Sequence, residues 1–243
     1  MIRLVPDHDR EKVEKAAKIL AVCQHGLSDY ELCKLLDFSD SQGLDSFLSH
    51  YFEGIISKYQ IQWVMDFEEF KRHIRVRVVN DEERASLHLV ISRSFQVSME
   101  KDILLLEERI YHLFKAKDYS GLKQFLSDIE HFLFFYNPYT KRSLFRYWLY
   151  LEQAGFEPVV EYSKSLDAFE SRANPSSYDL LKIIMQLSRF FKEFTDFEAN
   201  DTPDFQHPSI LNRHSLRGEV PGHKKIEVTS QFNLKIDAFS RLV

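Results

Sequence analysis

Four residues near the amino terminus have side chains of the types that bind zinc: Cys23, His25, Cys33 and His50. Their spacing does not match structural zinc sites, in which paired ligands are separated by about two to five residues. Cys33 also falls within an apolar stretch that has helical spacing. Because free cysteine is among the most buried residue types, we interpret these residues as core packing and predict no metal site.

A second group of residues could contact phosphates. The densest basic run in the chain interleaves cations with apolar residues and contains Lys71, Arg72, His73, Arg75 and Arg77. Two interpretations are open: nucleic-acid binding through Lys71, Arg72, Arg75 and Arg77, or a solvated face that pairs with the acidic residues on either side. The chain carries 32 basic and 37 acidic residues, a net charge of -5, and therefore has no overall positive field to attract a polyanion. We favour the solvated face and keep nucleic-acid binding as the alternative.

No arrangement of residues in the sequence predicts catalysis. Adjacent carboxylates at Glu68-Glu69, Glu82-Glu83 and Glu107-Glu108 point to different faces of a helix, so we expect them on the surface. A nucleophile elbow of the Gly-x-Ser-x-Gly type is missing. The glycine-rich turn and Lys-Ser or Lys-Thr pair that hold nucleotide phosphates are missing too. We predict no catalytic residue, no cofactor, no small-molecule substrate and no enzymatic activity.

Composition indicates a packed, helix-rich chain. Hydrophobic residues make up 44% of the 243 residues. The chain contains 21 Phe and 11 Tyr but only 7 Gly and 7 Pro. Few turn residues favour helices over sheet and loop architectures. Two cysteines are typical of a reduced compartment, and no apolar run approaches the roughly 20 residues of a membrane span. We expect a cytoplasmic protein with no secretory signal and no membrane contact.

Helical spacing and caps define the first half. A helix is predicted from Lys12 to His25-Gly26, and two capping boxes, Ser28 with Glu31 and Ser39 with Gln42, open the next two. Tyr59, Ile61 and Trp63 alternate as one half-buried strand would, which predicts a small wing. A further helix is expected over residues 81–95, whereas residues 76–79 could be extended.

Apolar stripes define the second half. One runs from Ile103 to Phe114 and another, predicted as a single helix, from Leu122 to Leu133. The next helix carries Trp148, whose position on the stripe predicts burial. Pro158 starts another helix, and Ser176 with Asp179 caps an apolar helix that continues to Phe194.

Aromatic residues are concentrated between positions 132 and 150 more than anywhere else in the chain. Most are expected in the core. One helix cannot bury aromatic side chains on all of its faces, so we predict that Phe134, Tyr139 and Tyr150 are candidate contacts for a protein partner.

The organisation that follows is mainly α: a small winged-helix-like module over residues 10–97, helical hairpins over residues 98–199, and a loose carboxy-terminal tail. The tail, residues 200–243, contains Pro203, Pro208 and Pro221 together with His207, His214 and His223. Its apolar residues are sparse, so we expect weak order and solvated histidines.

The order of these elements resembles that of the large signal-transduction NTPases with tetratricopeptide repeats, the nephrocystin-like group. The resemblance is carried by HGLSDYELCKLL with GIISKYQIQWVMDF, by NDEERASLHLVISRSF and by YHLFKAKDYSGLKQFLSDIEHF, and it covers roughly Lys12 to Phe197. It implies a winged helix that serves as an intramolecular packing module, followed by repeat-like helices. The chain departs from that pattern at both ends, because the phosphate loop is missing and Pro203 falls where the second helix of a repeat should run.

We therefore expect a non-enzymatic helical scaffold that binds a protein through contacts between helices. A truncated product with no independent activity is a further expectation, because a lone half-repeat cannot bury its apolar face without neighbours.

Overall fold

The computed structural model of the chain describes residues 5–95 and 103–200. Residues 201–243 of the predicted tail, including its three histidines, lie outside the described residues. The chain divides into two compact units, Met1–Leu122 and Lys123–Val243.

The described elements are mostly helices, with three short strands in the first unit. In chain order they are α1 (Asp7–Val22), β1 (Leu27–Ser28), α2 (Asp29–Leu36), α3 (Ser41–Phe52), β2 (Ile56–Tyr59), β3 (Gln62–Met65), α4 (Glu68–His73), a π-helical turn (Ile74–Val78), α5 (Asp81–Ser94), α6 (Ile103–Lys115), α7 (Tyr119–Ser127), α8 (Ile129–Phe135), α9 (Lys141–Gln153), α10 (Pro158–Ala173) and α11 (Ser177–Asn200). The mainly α class with a small sheet and helical hairpins is confirmed. None of the described helices combines the length and the apolar character that crossing a bilayer requires.

The first unit contains a three-stranded antiparallel sheet with the strand order β1-β3-β2, and α1 and α2 contact it. Leu27 pairs with Trp63, and Ile56 pairs with Met65. The single strand predicted through Tyr59 and Trp63 is wrong, because Gln60 adopts a positive φ of 54° and turns the chain between β2 and β3. The alternation of large side chains continues across that turn, which explains why the sequence suggested one strand.

Two of the predicted helix starts can be compared directly with the structure. Ser28 and Glu31 form the predicted capping box, in which the Ser28 backbone N–H donates to the Glu31 carboxylate over 3.0 Å. The predicted box at Ser39 is wrong by one residue, since Asp40 caps α3 and accepts the Gly43 N–H over 2.7 Å. An ionised carboxylate accepts this hydrogen bond more strongly than a hydroxyl does.

The second unit begins within α7 and continues through four more helices. The helix predicted from Leu122 to Leu133 is broken at Asp128, whose carboxylate caps α8 by accepting the N–H groups of Glu130 and His131. Ser176 caps α11 as predicted, with a hydrogen bond from the Asp179 N–H to the Ser176 hydroxyl over 3.2 Å. The helix extends to Asn200 rather than stopping at Phe194. The core of this unit contains the fully buried side chains of Phe132, Trp148, Tyr162 and Phe190.

Candidate functional site

A buried carboxylate on α6 links two elements of the first unit. The Glu108 side chain is completely buried. One of its oxygens accepts the Gln24 backbone N–H over 2.7 Å, and the other accepts the His25 backbone N–H, both from the loop that follows α1. The expectation that Glu107 and Glu108 are surface residues is therefore wrong for Glu108, because an ionised carboxylate becomes tolerable inside a protein once N–H donors satisfy it.

Two histidines extend this buried cluster. The His112 side chain is also fully buried, and its Nε2 atom lies 2.8 Å from Glu108 Oε1. On its other side, His112 Nδ1 lies 2.7 Å from Nδ1 of buried His88 on α5. Burial, followed by the neighbouring charges of His112, Lys115, Arg84 and Arg75, lowers the pKa of His88 to about 3. His88 is therefore neutral near pH 7, and one of the two facing Nδ1 atoms carries the hydrogen that they share.

Cys23 completes the cluster at the end of α1. Its Sγ atom, a Glu108 carboxylate oxygen and a His112 ring nitrogen all lie within 4.8 Å of one another. The thiol hydrogen-bonds to the Ile19 carbonyl oxygen over 3.2 Å. Burial raises the pKa of the Cys23 thiol well above its ordinary value, and the nearby Glu108 charge raises it further. The thiol thus stays protonated at neutral pH and is not an activated nucleophile.

The metal-ligand types that stood out in the sequence do not come together. Within residues 5–95 and 103–200, the only group of three or more potential ligands that converges is Cys23, Glu108 and His112. Cys33 instead hydrogen-bonds to the Asp40 carbonyl oxygen, and exposed His50 packs its ring edge against Tyr51. The two potential ligands on α6 offered a partial signal, because Glu108 and His112 are four residues apart and lie on the helix face that also carries buried Leu105.

Two of the five residues in the basic run, Lys71 and Arg75, pack or form hydrogen bonds within the first unit. Lys71 is buried, and burial followed by the neighbouring Arg75 charge lowers its pKa. Arg75 donates hydrogen bonds to the carbonyl oxygens of Ala21 and Cys23 at the end of α1, the latter over 3.2 Å. Arg72 and Arg77 are exposed. The run lies on α4 and the π-helical turn. The burial of Lys71 and the carbonyl contacts of Arg75 argue against phosphate contacts by these two side chains.

The predicted partner contacts lie on the second unit. Tyr139 is 94% exposed and Phe134 is 36% exposed, whereas Tyr150 is half-buried. Tyr139 belongs to the turn between α8 and α9. The Asn137 side chain forms hydrogen bonds with backbone groups before and after it in this turn. The Asn137 amide nitrogen donates to the Phe134 carbonyl oxygen over 2.9 Å, and its oxygen accepts the Tyr139 N–H over 2.9 Å.

We compared the chain with protein-family models, with characterised proteins and with solved structures, and found no match to any of the three.

Proposed function

We propose that the chain is a non-enzymatic helical interaction module that binds a protein partner through Tyr139 and Phe134. The observation that carries this proposal is that an almost fully exposed tyrosine stands on a turn that side-chain hydrogen bonds hold in place. The Thr140 hydroxyl adds a hydrogen bond to the Phe135 carbonyl oxygen over 2.5 Å. A large aromatic ring on a preorganised backbone loses little conformational entropy on binding, which favours its use as an anchor.

The partner that suits this surface is an amphipathic helix with acidic residues beside its apolar stripe. Tyr139, Phe134 and the exposed Leu133 supply apolar area, and Arg142 is exposed in the first turn of α9, three residues after Tyr139. Exposed apolar and aromatic side chains with a guanidinium group close by in the sequence match apolar anchors flanked by carboxylates.

The first unit fits a supporting role within this proposal. Its element order and its β1-β3-β2 sheet support a winged-helix-like module. Its third helix, α3, carries no Lys or Arg between Ser41 and Phe52. This composition favours a packing module over a helix that reads nucleic acid, because Lys and Arg supply the contacts that neutralise phosphate charge.

A displayed library of random helical peptides, selected on the purified chain, tests the proposal. We expect enriched peptides with apolar residues at helical spacing and neighbouring Asp or Glu, and at least about tenfold weaker binding to a Phe134→Ala, Tyr139→Ala double variant. Tyr178→Ala is the matched control, because Tyr178 is 67% exposed on α11 of the same unit. Enriched peptides that bind the double variant as tightly as the parent chain would disprove the proposed surface.

A further inference from the structure

We propose that Cys23, Glu108 and His112 form a binding site for a divalent transition-metal ion of the zinc class in the first unit. The site differs from the proposed interaction surface in its residues and in its chemistry. The spacing of Glu108 and His112 indicates one face of α6, but nothing in the sequence brings Cys23 to that face, because Cys23 lies more than eighty residues from Glu108 along the chain.

The three ligand types suit a borderline-soft ion. Zinc takes Cys sulfur at about 2.3 Å and His nitrogen or carboxylate oxygen at about 2.0 to 2.2 Å, which places tetrahedral ligands about 3 to 4 Å apart. The three candidate ligand atoms lie within 4.8 Å of one another. The contact of 2.8 Å between His112 Nε2 and Glu108 Oε1 has to open slightly to admit an ion, and any separation beyond about 4 Å has to close.

A buried nitrogen that lacks a hydrogen-bond partner points to a ligand. His112 is fully buried, and its Nε2 atom makes no hydrogen bond of acceptable geometry despite its short contact with Glu108. Such an atom is costly inside a protein unless something satisfies it. When His112 donates its Nδ1 hydrogen to His88, the lone pair on Nε2 is available to a metal ion.

Both of the α6 ligands already have the supporting contacts that metal sites use. His88 holds the ring orientation of His112, and the backbone N–H groups of Gln24 and His25 hold the Glu108 carboxylate. Outer-shell partners of this kind fix the ligand geometry and raise metal affinity. On binding, the Cys23 S–H bond breaks, a sulfur–metal bond forms and the proton leaves to the buffer, so the thiolate and the carboxylate together balance the two positive charges of the ion.

Cobalt(II) substitution tests the site in the full chain after treatment with a chelator. We expect one Co²⁺ per chain, a near-ultraviolet band from thiolate-to-cobalt charge transfer, and displacement of Co²⁺ by Zn²⁺. Cys23→Ser should abolish that band, whereas Cys33→Ser, the matched control in the same unit, should leave it unchanged. His88→Gln should lower the affinity on the order of 10- to 100-fold while keeping the band.

X-ray absorption of the zinc-loaded parent chain makes the test independent of how the variants fold. One sulfur and two or more nitrogen or oxygen neighbours around the ion are expected. An ion with only nitrogen and oxygen neighbours, a charge-transfer band that persists in Cys23→Ser, or no stoichiometric binding of Co²⁺ would each overturn the proposal.

Discussion

The Trp148 indole N–H donates a hydrogen bond of 3.1 Å to the Tyr162 hydroxyl, and both side chains are completely buried in the second unit. The Tyr162 hydroxyl in turn donates to the Leu126 carbonyl oxygen over 2.9 Å. This chain of two hydrogen bonds joins α9, α10 and α7 within an otherwise apolar core, and it satisfies each polar atom that the two aromatic residues bring into that core.

Trp148→Ala should destabilise the chain on the order of 3 to 5 kcal/mol, because it leaves a large cavity among packed aromatic rings. The Trp148 ring lies 5.2 Å from the Tyr162 ring between centroids. Chemical denaturation followed by circular dichroism measures the change, with Tyr178→Ala as a control that removes an exposed aromatic residue. A midpoint equal to that of the parent chain would contradict the burial of Trp148.

Tyr162→Phe should cost about 1 to 3 kcal/mol, although it changes the buried volume little. The substitution leaves the Trp148 N–H without its acceptor and the Leu126 carbonyl without this donor, and buried polar atoms without partners are destabilising. Burial raises the pKa of Tyr162 well above its ordinary value, so the hydroxyl is protonated under the conditions of the measurement. Tyr30→Phe, at a 40% exposed position, is the control that isolates the effect of burial. An equal loss in the free energy of unfolding for the two variants would contradict the role of the buried hydrogen bonds.

Gly26→Ala should destabilise the first unit more than Gly54→Ala. Both glycines have positive φ, 99° and 72°, so each substitution should cost about 1 to 3 kcal/mol from the backbone alone. At Gly26 an added Cβ would meet the Trp63 carbonyl oxygen at 2.3 Å, whereas at Gly54 nothing lies within 4 Å. The collision with β3 should add about 1 to 3 kcal/mol. Thermal melts of the two variants give the difference, and equal melting temperatures would show that no close approach exists.

Glu193 in the second unit should make stability depend on pH in the acid range. Burial alone would raise the pKa of Glu193, but hydrogen bonds from Lys141, Arg189 and Tyr136 outweigh it and lower the pKa below the ordinary value of 4.5. Lys141 reaches one carboxylate oxygen at 3.0 Å, and Arg189 reaches the other at 2.9 Å. A carboxyl group whose pKa is lower in the folded state binds its proton more weakly there, so it stabilises the fold above about pH 4.5 and this contribution is lost as the pH falls.

Glu193→Gln should therefore lower the free energy of unfolding by about 1 kcal/mol near pH 7, a modest value because the side chain is partly exposed and solvent screens the pairs. The difference from the parent chain should shrink as the pH falls below about 4.5. Urea unfolding at several pH values measures it. Glu170→Gln, on the exposed face of α10, removes the same charge and should produce no such trend, and a constant difference at all pH values would exclude the ion-pair explanation.

Local spacing in the sequence was sufficient for much of the fold. The capping box of Ser28 with Glu31, the cap at Ser176 and the burial of Trp148 all follow from residues a few positions apart. A helix turn repeats every 3.6 residues and its first N–H groups need nearby acceptors, so these features depend on neighbours along the chain and can be predicted from them.

Errors of one or a few residues arose where two local signals competed. Asp40 displaced Ser39 as the cap of α3, and Asp128 interrupted a stripe that continues through α7 and α8 without a change in spacing. In the β2-β3 hairpin, Gln60 turns the chain although neither Gly nor Asn marks the position. The cap position, the helix break and the turn position each depend on which alternative packs better in three dimensions. Hydrophobic periodicity carries no information about that packing.

The sequence by itself determined the helical class, most helix positions and the concentration of aromatic residues around Tyr139. Only the tertiary structure decided that Glu108 is buried beside Cys23 and His112, and that Arg75 turns inwards to the carbonyl oxygens that end α1. In a helical sequence, a charged residue that will be buried looks the same as one that will be solvated. The two can be told apart only when the partners that offset the desolvation of the charge are known. For Glu108 those partners are the backbone N–H groups of Gln24 and His25, 84 and 83 positions away in the chain.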